Sequence, residues 1–90
     1  MVLIIPIYGL IMLNSSQIRA ARALLGWSGK ELSMKSGVGV TTIRRYELEE
    51  GVPSANLRVL AKLKTTLGAA GIEFTGDPLK NPGVTLNLRG

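Results

Sequence analysis

Residues 28–47 read SGKELSMKSGVGVTTIRRYE, and the fold turns on how this stretch is punctuated. Ser28 followed three positions later by Glu31 has the layout of a capping box, in which each side chain accepts a hydrogen bond from the other residue's backbone N–H. Trp27 and Leu32 stand where a hydrophobic staple puts its two residues, so a helix is predicted over 29–36. Gly37-Val38-Gly39 stops it, and a second short helix restarts at Val40-Thr-Thr-Ile-Arg-Arg-Tyr-Glu. Two short helices around a glycine-containing turn make a helix-turn-helix unit. The spacing about Gly37 agrees: Ser33 is small where the helices approach, and Leu32, Val38, Ile43 and Tyr46 fall where crossing helices face each other. Gly37 supplies the positive φ of the turn, and Thr41, Arg44 and Arg45 are left on the opposite face.

Upstream, Asn14 and Gln17 repeat the capping-box layout, with Leu13 and Ile18 as staple residues. The helix they open carries Ile18, Ala21 and Leu25 inward and Arg19 outward, and Gly26 ends it. Downstream of Gly51-Val-Pro53, Ser54 is the expected N-cap of a long helix with Leu57, Leu60, Leu63, Leu67 and Ala70 on one stripe. After Gly71, Ile72-Glu-Phe74-Thr and Val84-Thr-Leu86-Asn-Leu88 alternate like strands around the turn-rich GDPLKNPG at 76–83, which predicts a hairpin. The chain therefore reads as mainly α: an apolar N-terminal strand or extension over 1–13, a four-helix domain over 14–71, and a C-terminal β-hairpin over 72–90. It shows no internal repeat, low-complexity tract or interdomain linker.

The opening MVLIIPIYGLIML carries no charge. It is shorter than the ~20 residues a spanning helix needs, and Pro6 and Gly9 interrupt it. It also lacks the basic start and small-residue cleavage site of a signal peptide, so a cytoplasmic protein without a membrane partner is expected. Val2-Leu-Ile-Ile is strand-like, with Pro6 suited to an edge; a disordered or artefactual tail and a membrane anchor are the other readings, and Met12 offers a second start.

Ninety residues suffice for one core and not two, and 46% hydrophobic residues place the chain among folded sequences. Eleven Lys and Arg against six Asp and Glu give a net charge of +5, which suits a polyanionic partner, nucleic acid or anionic membrane. With no Cys and no His there is no disulfide, no thiolate or imidazole metal ligand and no Ser-His or Cys-His pair, so neither an enzyme nor a metal or other cofactor is expected. Glu47, Glu49 and Glu50 lack companion ligands and read as a solvated acidic patch rather than a metal site.

Three blocks in order, IRAARALLGWS at 18–28, ELSMKSGV at 31–38 and TTIRRYELEEG at 41–51, resemble the lambda-repressor-like, or XRE-family, helix-turn-helix DNA-binding domain. The resemblance covers residues 17–70 and implies a double-stranded DNA partner. It also implies an ion pair between Arg22 in the first helix and Glu47 just after the recognition helix. Position 29, often Gln in that family, is Gly here; Gly39 stands where a Ser or Thr usually caps the recognition helix; and the hairpin replaces the usual tail helix.

On that resemblance the helix starting near Val40 is the one that enters the major groove. Its first two turns present Val40, Thr41, Arg44 and Arg45 to the bases: an arginine fork matches guanine O6 and N7, while Val40 and the Thr41 methyl suit a thymine methyl. Arg45 and Thr41 are the preferred base contacts, and Arg44 serves either a base or a phosphate. Ser28, Lys30, Lys35 and Asn56 lie near helix N-termini or on the neighbouring helix, where phosphates are met. Trp27 and Tyr46 point inward by helical spacing and read as core. The expected function is a sequence-specific transcriptional regulator, a repressor binding a pseudo-palindromic operator as a homodimer. The alternative is an antitoxin or other protein-binding module of a toxin-antitoxin pair built on the same domain. The expected dimer interface includes Phe74, Val84, Leu86 and the strand at residues 2–5, because neither terminal segment has an evident place in a four-helix core.

Overall fold

A computed structural model describes residues 12–51, 53 and 56–88. The expected strand at 2–5 lies outside these residues. Along the described chain run α1 (Ser15–Leu25), α2 (Gly29–Ser36), α3 (Val40–Leu48), α4 (Leu57–Ala69), β1 (Ile72–Thr75) and β2 (Gly83–Leu86). The molecule is mainly helical with a C-terminal antiparallel hairpin.

Both capping boxes form. The Asn14 side chain accepts from Ser16 N–H at 2.9 Å, and Gln17 Oε1 accepts from Asn14 N–H at 2.9 Å. Ser28 Oγ accepts from Glu31 N–H at 3.0 Å, and Glu31 Oε1 from Ser28 N–H at 3.1 Å. At its other end α1 closes in a Schellman arrangement: Gly26 N–H donates to Ala23 O at 3.1 Å and Trp27 N–H to Arg22 O at 3.0 Å, satisfying two carbonyls the helix leaves open. Gly37 ends α2 with φ of 77° and donates to Ser33 O, the left-handed geometry that only glycine adopts at no steric cost. Val38, 5% exposed, then anchors the turn in the core before α3 begins. Gly39 gives α3 no side-chain cap, as its lack of a side chain requires.

One hydrophobic core joins all four helices to the hairpin. Leu13, Ile18, Ala21, Leu32, Val38, Ile43, Tyr46, Leu60, Leu63, Leu67 and Ile72 are buried in it, with Leu25, Trp27, Val59, Phe74, Val84 and Leu86 packed against its margin. At about 1.5–3 kcal/mol for each fully buried aliphatic or aromatic side chain, these residues carry the stability of the fold.

Several details differ from the sequence-based expectations. The long helix begins at Leu57 and is capped by Asn56, whose Oδ1 accepts from Arg58 N–H at 2.8 Å. The expected cap, Ser54, lies outside the described residues. Leu57, placed on the apolar stripe, is 45% exposed because it occupies the first turn, ahead of the core. Trp27 is only half-buried, whereas Tyr46 is fully inside.

The hairpin belongs to this core. β1 and β2 pair Ile72 with Leu86, Glu73 with Thr85, Phe74 with Val84 and Thr75 with Gly83. The apolar members, Ile72, Phe74, Val84 and Leu86, turn toward the helices, and Glu73, Thr75 and Thr85 face solvent. The reason given for a dimer interface at Phe74, Val84 and Leu86, that they lack a place in the core, therefore does not hold. Polar clamps reinforce the docking: Asn14 Nδ2 donates to Pro78 O at 2.9 Å, and Gln17 Nε2 donates to Gly83 O at 2.9 Å and Thr75 O at 3.3 Å. At the other end Asn87 N–H donates to Gly71 O at 2.8 Å. Gly71 has φ of 106°, and a Cβ there would lie 2.8 Å from Asn87 O, so both conformation and close approach demand glycine.

Candidate nucleic-acid interface

The helical period divides α3 cleanly. Ile43, Tyr46 and Glu47 are buried, Thr41, Arg44 and Arg45 are exposed, and Val40 is half-buried at the leading end. All four expected base-reading residues thus share the outer face of one helix, Val40 and Thr41 in its first turn and Arg45 in its last. The Arg45 guanidinium lies over the Tyr46 ring, 5.3 Å from its centroid, a cation–π contact worth about 0.5–1 kcal/mol at an exposed site. This contact narrows the conformations of the side chain before any ligand arrives.

The N-terminus of α2 lies beside the start of α3. A Cβ built on Gly29 would sit 3.9 Å from Val40 Cγ2, ordinary contact, so Gly29 and Val40 are neighbours across the turn. Ser28 and Lys30, the expected phosphate contacts flanking Gly29, are exposed at this end. The Ser28 hydroxyl oxygen is engaged in the capping box, which leaves its proton to donate outward. Asn56 is exposed at the N-terminus of α4; its oxygen caps the helix and its amide N–H₂ remains a donor. Lys35 is placed elsewhere. Its ammonium stands 5.0 Å from the centroid of the Trp27 ring, in a groove shared with Thr65, Thr66 and Ala69 of α4 and with Ala70, the cap that follows it.

Behind α3 stands the pair implied by the resemblance. Arg22 Nη2 donates to Glu47 Oε1 at 2.8 Å and Nε to Oε2 at 3.0 Å, a bidentate fork that binds α1 to the last turn of α3. Glu47 is 8% exposed, so it is a structural anchor rather than part of a solvated acidic patch. Donation to the Glu47 carboxylate holds the Arg22 guanidinium more firmly protonated than usual, against a smaller opposing effect of burial. Arg22 Nη1 also donates to Trp27 O at 3.0 Å. Sequence reasoning assigned Arg19 no role, yet its guanidinium donates to the Glu47 backbone carbonyl. The available signal was its position three residues before Arg22, which puts both cations on one side of α1. Together the two arginines hold the carboxylate and the carbonyl of one residue at the end of α3.

Among the described residues no helix is long and apolar enough to cross a membrane, and no three His, Cys, Asp or Glu side chains come together as metal ligands. No curated protein and no solved structure matches the chain. The family model described as Helix-turn-helix matches residues 18–68, more than half the chain. That span runs from the first core residue of α1 through the caps, the turn and the Arg22–Glu47 pair to the last turns of α4, and the chain belongs to the helix-turn-helix family of XRE-type, lambda-repressor-like DNA-binding regulators.

Proposed function

We propose that this regulator is a sequence-specific repressor that binds a pseudo-palindromic operator as a homodimer. The observation that carries the reading is the outer face of α3: Thr41, Arg44 and Arg45 are exposed and Val40 half-exposed on a helix whose inner face is locked by Ile43, Tyr46 and the bidentate Glu47. A helix held this way presents its side chains to the major groove with little loss of order on binding. In this reading Arg45 forks onto a guanine, Val40 and the Thr41 methyl pack on thymine methyls, and Arg44 takes a base or a phosphate. Ser28, Lys30 and Asn56 hold the phosphates on either side, while Lys35, laid over Trp27, serves the backbone only where DNA extends past α2.

A two-fold dimer sets two copies of α3 about 34 Å apart, in successive major grooves. We assign the dimer contact to the outer edge of the hairpin, which pairs with no further strand among the described residues. Occupancy of such a site across a promoter excludes the polymerase. Dimethyl sulfate footprinting of the purified protein on the DNA upstream of its own reading frame tests this. Protected guanine N7 atoms in two half-sites about one helical turn apart are expected. An unprotected upstream region, or protection in a single half-site, overturns the operator and the dimer respectively.

A further inference from the structure

A continuous groove with a mainly apolar lining runs between α2 and α4, and no residue of α3 lines it. Its two halves, of about 390 and 430 Å³, meet at Thr65 and Thr66. Trp27, Ala61, Thr66 and Ala70 form the half-buried lining, and Lys35, Arg58 and Lys62 are exposed along it. Lys35 lies over the Trp27 ring in one half; Arg58 and Lys62, four residues apart, share one side of α4 in the other. No carboxylate lines either half, and among the described residues none of these three cations has an ion-pair partner.

We infer that this groove is the docking site of an acidic amphipathic helix supplied by a second protein. From Arg58 to Ala70 the groove follows α4 for about 18 Å at ~1.5 Å per residue, which matches a partner helix of about twelve residues. The apolar stripe of such a helix, at i, i+3, i+4 and i+7, lies on the Trp27 ring and on the methyl groups of Ala61, Thr66 and Ala70. Its flanking carboxylates meet Lys35, Arg58 and Lys62. The charges select an anion, and the lining selects protein over nucleic acid. A duplex brings phosphates to the cations but has no apolar outer face to bury on alanines and threonine methyls, whereas an amphipathic helix gains from that burial. The chain's net charge of +5 adds attraction at a distance, which speeds association with an acidic partner.

Trp27 is the chain's single tryptophan, so its emission reports on the groove directly. The probe is a synthetic helix of about fourteen residues, matched to the groove's length, with leucines at helical spacing among glutamates and alanines and no aromatic residue. It is titrated into the full chain beside a scrambled peptide of the same composition. A saturable shift of Trp27 emission is expected, with the scrambled peptide at least tenfold weaker, because it keeps the charge and loses the stripe. Lys62→Glu reverses one groove charge and should weaken the designed peptide about fivefold. Lys80→Glu, the same charge change in the hairpin turn, should leave its affinity unchanged, and both variants should keep the parent's helical circular dichroism. An absent or unsaturable shift, equal affinity for the scrambled peptide, or equal losses from the two variants overturns the proposal. So does a Lys62→Glu protein that loses affinity for a random DNA duplex severalfold beyond Lys80→Glu, which would give the groove to DNA. Operator binding by the parent chain is a separate readout, because the groove shares no residue with the outer face of α3.

Discussion

Replacing Arg22 by methionine keeps an unbranched apolar stem and removes the fork, which deprives Glu47, 8% exposed in the native fold, of its two bonds of 2.8 and 3.0 Å. Breaking a fully buried pair costs about 3–5 kcal/mol, and an exposed pair is worth about 0–1 kcal/mol. With Arg22 27% exposed at its side chain and Glu47 at 9%, the pair lies nearer the buried limit, and a loss of about 2–3 kcal/mol is expected. The bond from Arg22 to Trp27 O is lost as well, at about 1 kcal/mol. For a domain of this size each kcal/mol moves Tm by about 4–8 °C, so Arg22→Met should melt roughly 12 °C or more below the parent. Glu47→Leu strands the arginine instead, and the double variant strands neither charge but still lacks the Trp27 contact. Thermal and urea melts of the four proteins should yield a coupling energy of about 1.5–2 kcal/mol, with the double variant more stable than Arg22→Met alone. Losses that add to within about 0.5 kcal/mol would refute the claim that this pair, rather than its separate members, ties α1 to α3.

Further outcomes follow from the same geometry. Gly68→Ala should raise stability by about 0.5–1 kcal/mol in a urea melt, since the site is inside α4 with nothing within 4 Å of a new Cβ. Gly71→Ala should lower stability, because its Cβ would meet Asn87 O at 2.8 Å; equal effects at the two sites would contradict the close approach. Arg45→Ala should cost about 1–3 kcal/mol at the operator and relax base preference with Tm nearly unchanged, whereas Lys30→Ala should weaken all sequences alike. Anisotropy titrations on specific and random duplexes separate these two, and equal losses on both duplexes for Arg45→Ala would reassign it to the phosphates. With about four phosphates met per protomer, the log–log salt slope for a dimer should be near −7, and a flat salt titration is incompatible with this interface.

Local chemistry made much of this fold legible in the sequence. A capping box, a left-handed glycine and a staple each act within six residues, so Asn14 with Gln17, Ser28 with Glu31, Gly26 and Gly37 mark helix ends where the structure has them. The choice between Ser54 and Asn56 was not legible in this way, because both residue types cap well and the apolar stripe of α4 has the same phase from either start. The docking of the hairpin was hidden for a different reason. Alternation at Ile72, Phe74, Val84 and Leu86 says that one face is apolar, but it does not say whether that face meets the chain's own helices or another chain. The exposed face of α3 followed directly from helical period. Arg19 was legible only as a cation three residues before Arg22; its acceptor, a backbone carbonyl, carries no signature in sequence.

The first turn of α1 does two jobs with the same two side chains. Asn14 and Gln17 satisfy the helix's own N–H groups and, through their amide N–H₂ groups, bind the backbone of the hairpin turn and strands at Pro78, Thr75 and Gly83. Opening the hairpin therefore withdraws acceptors from residues whose order the helix start needs, and fraying the helix start loosens the hairpin. The two cannot melt independently: their slowest amides should exchange with solvent through a common opening event, at one free energy, as a single cooperative unit spanning both ends of the described chain.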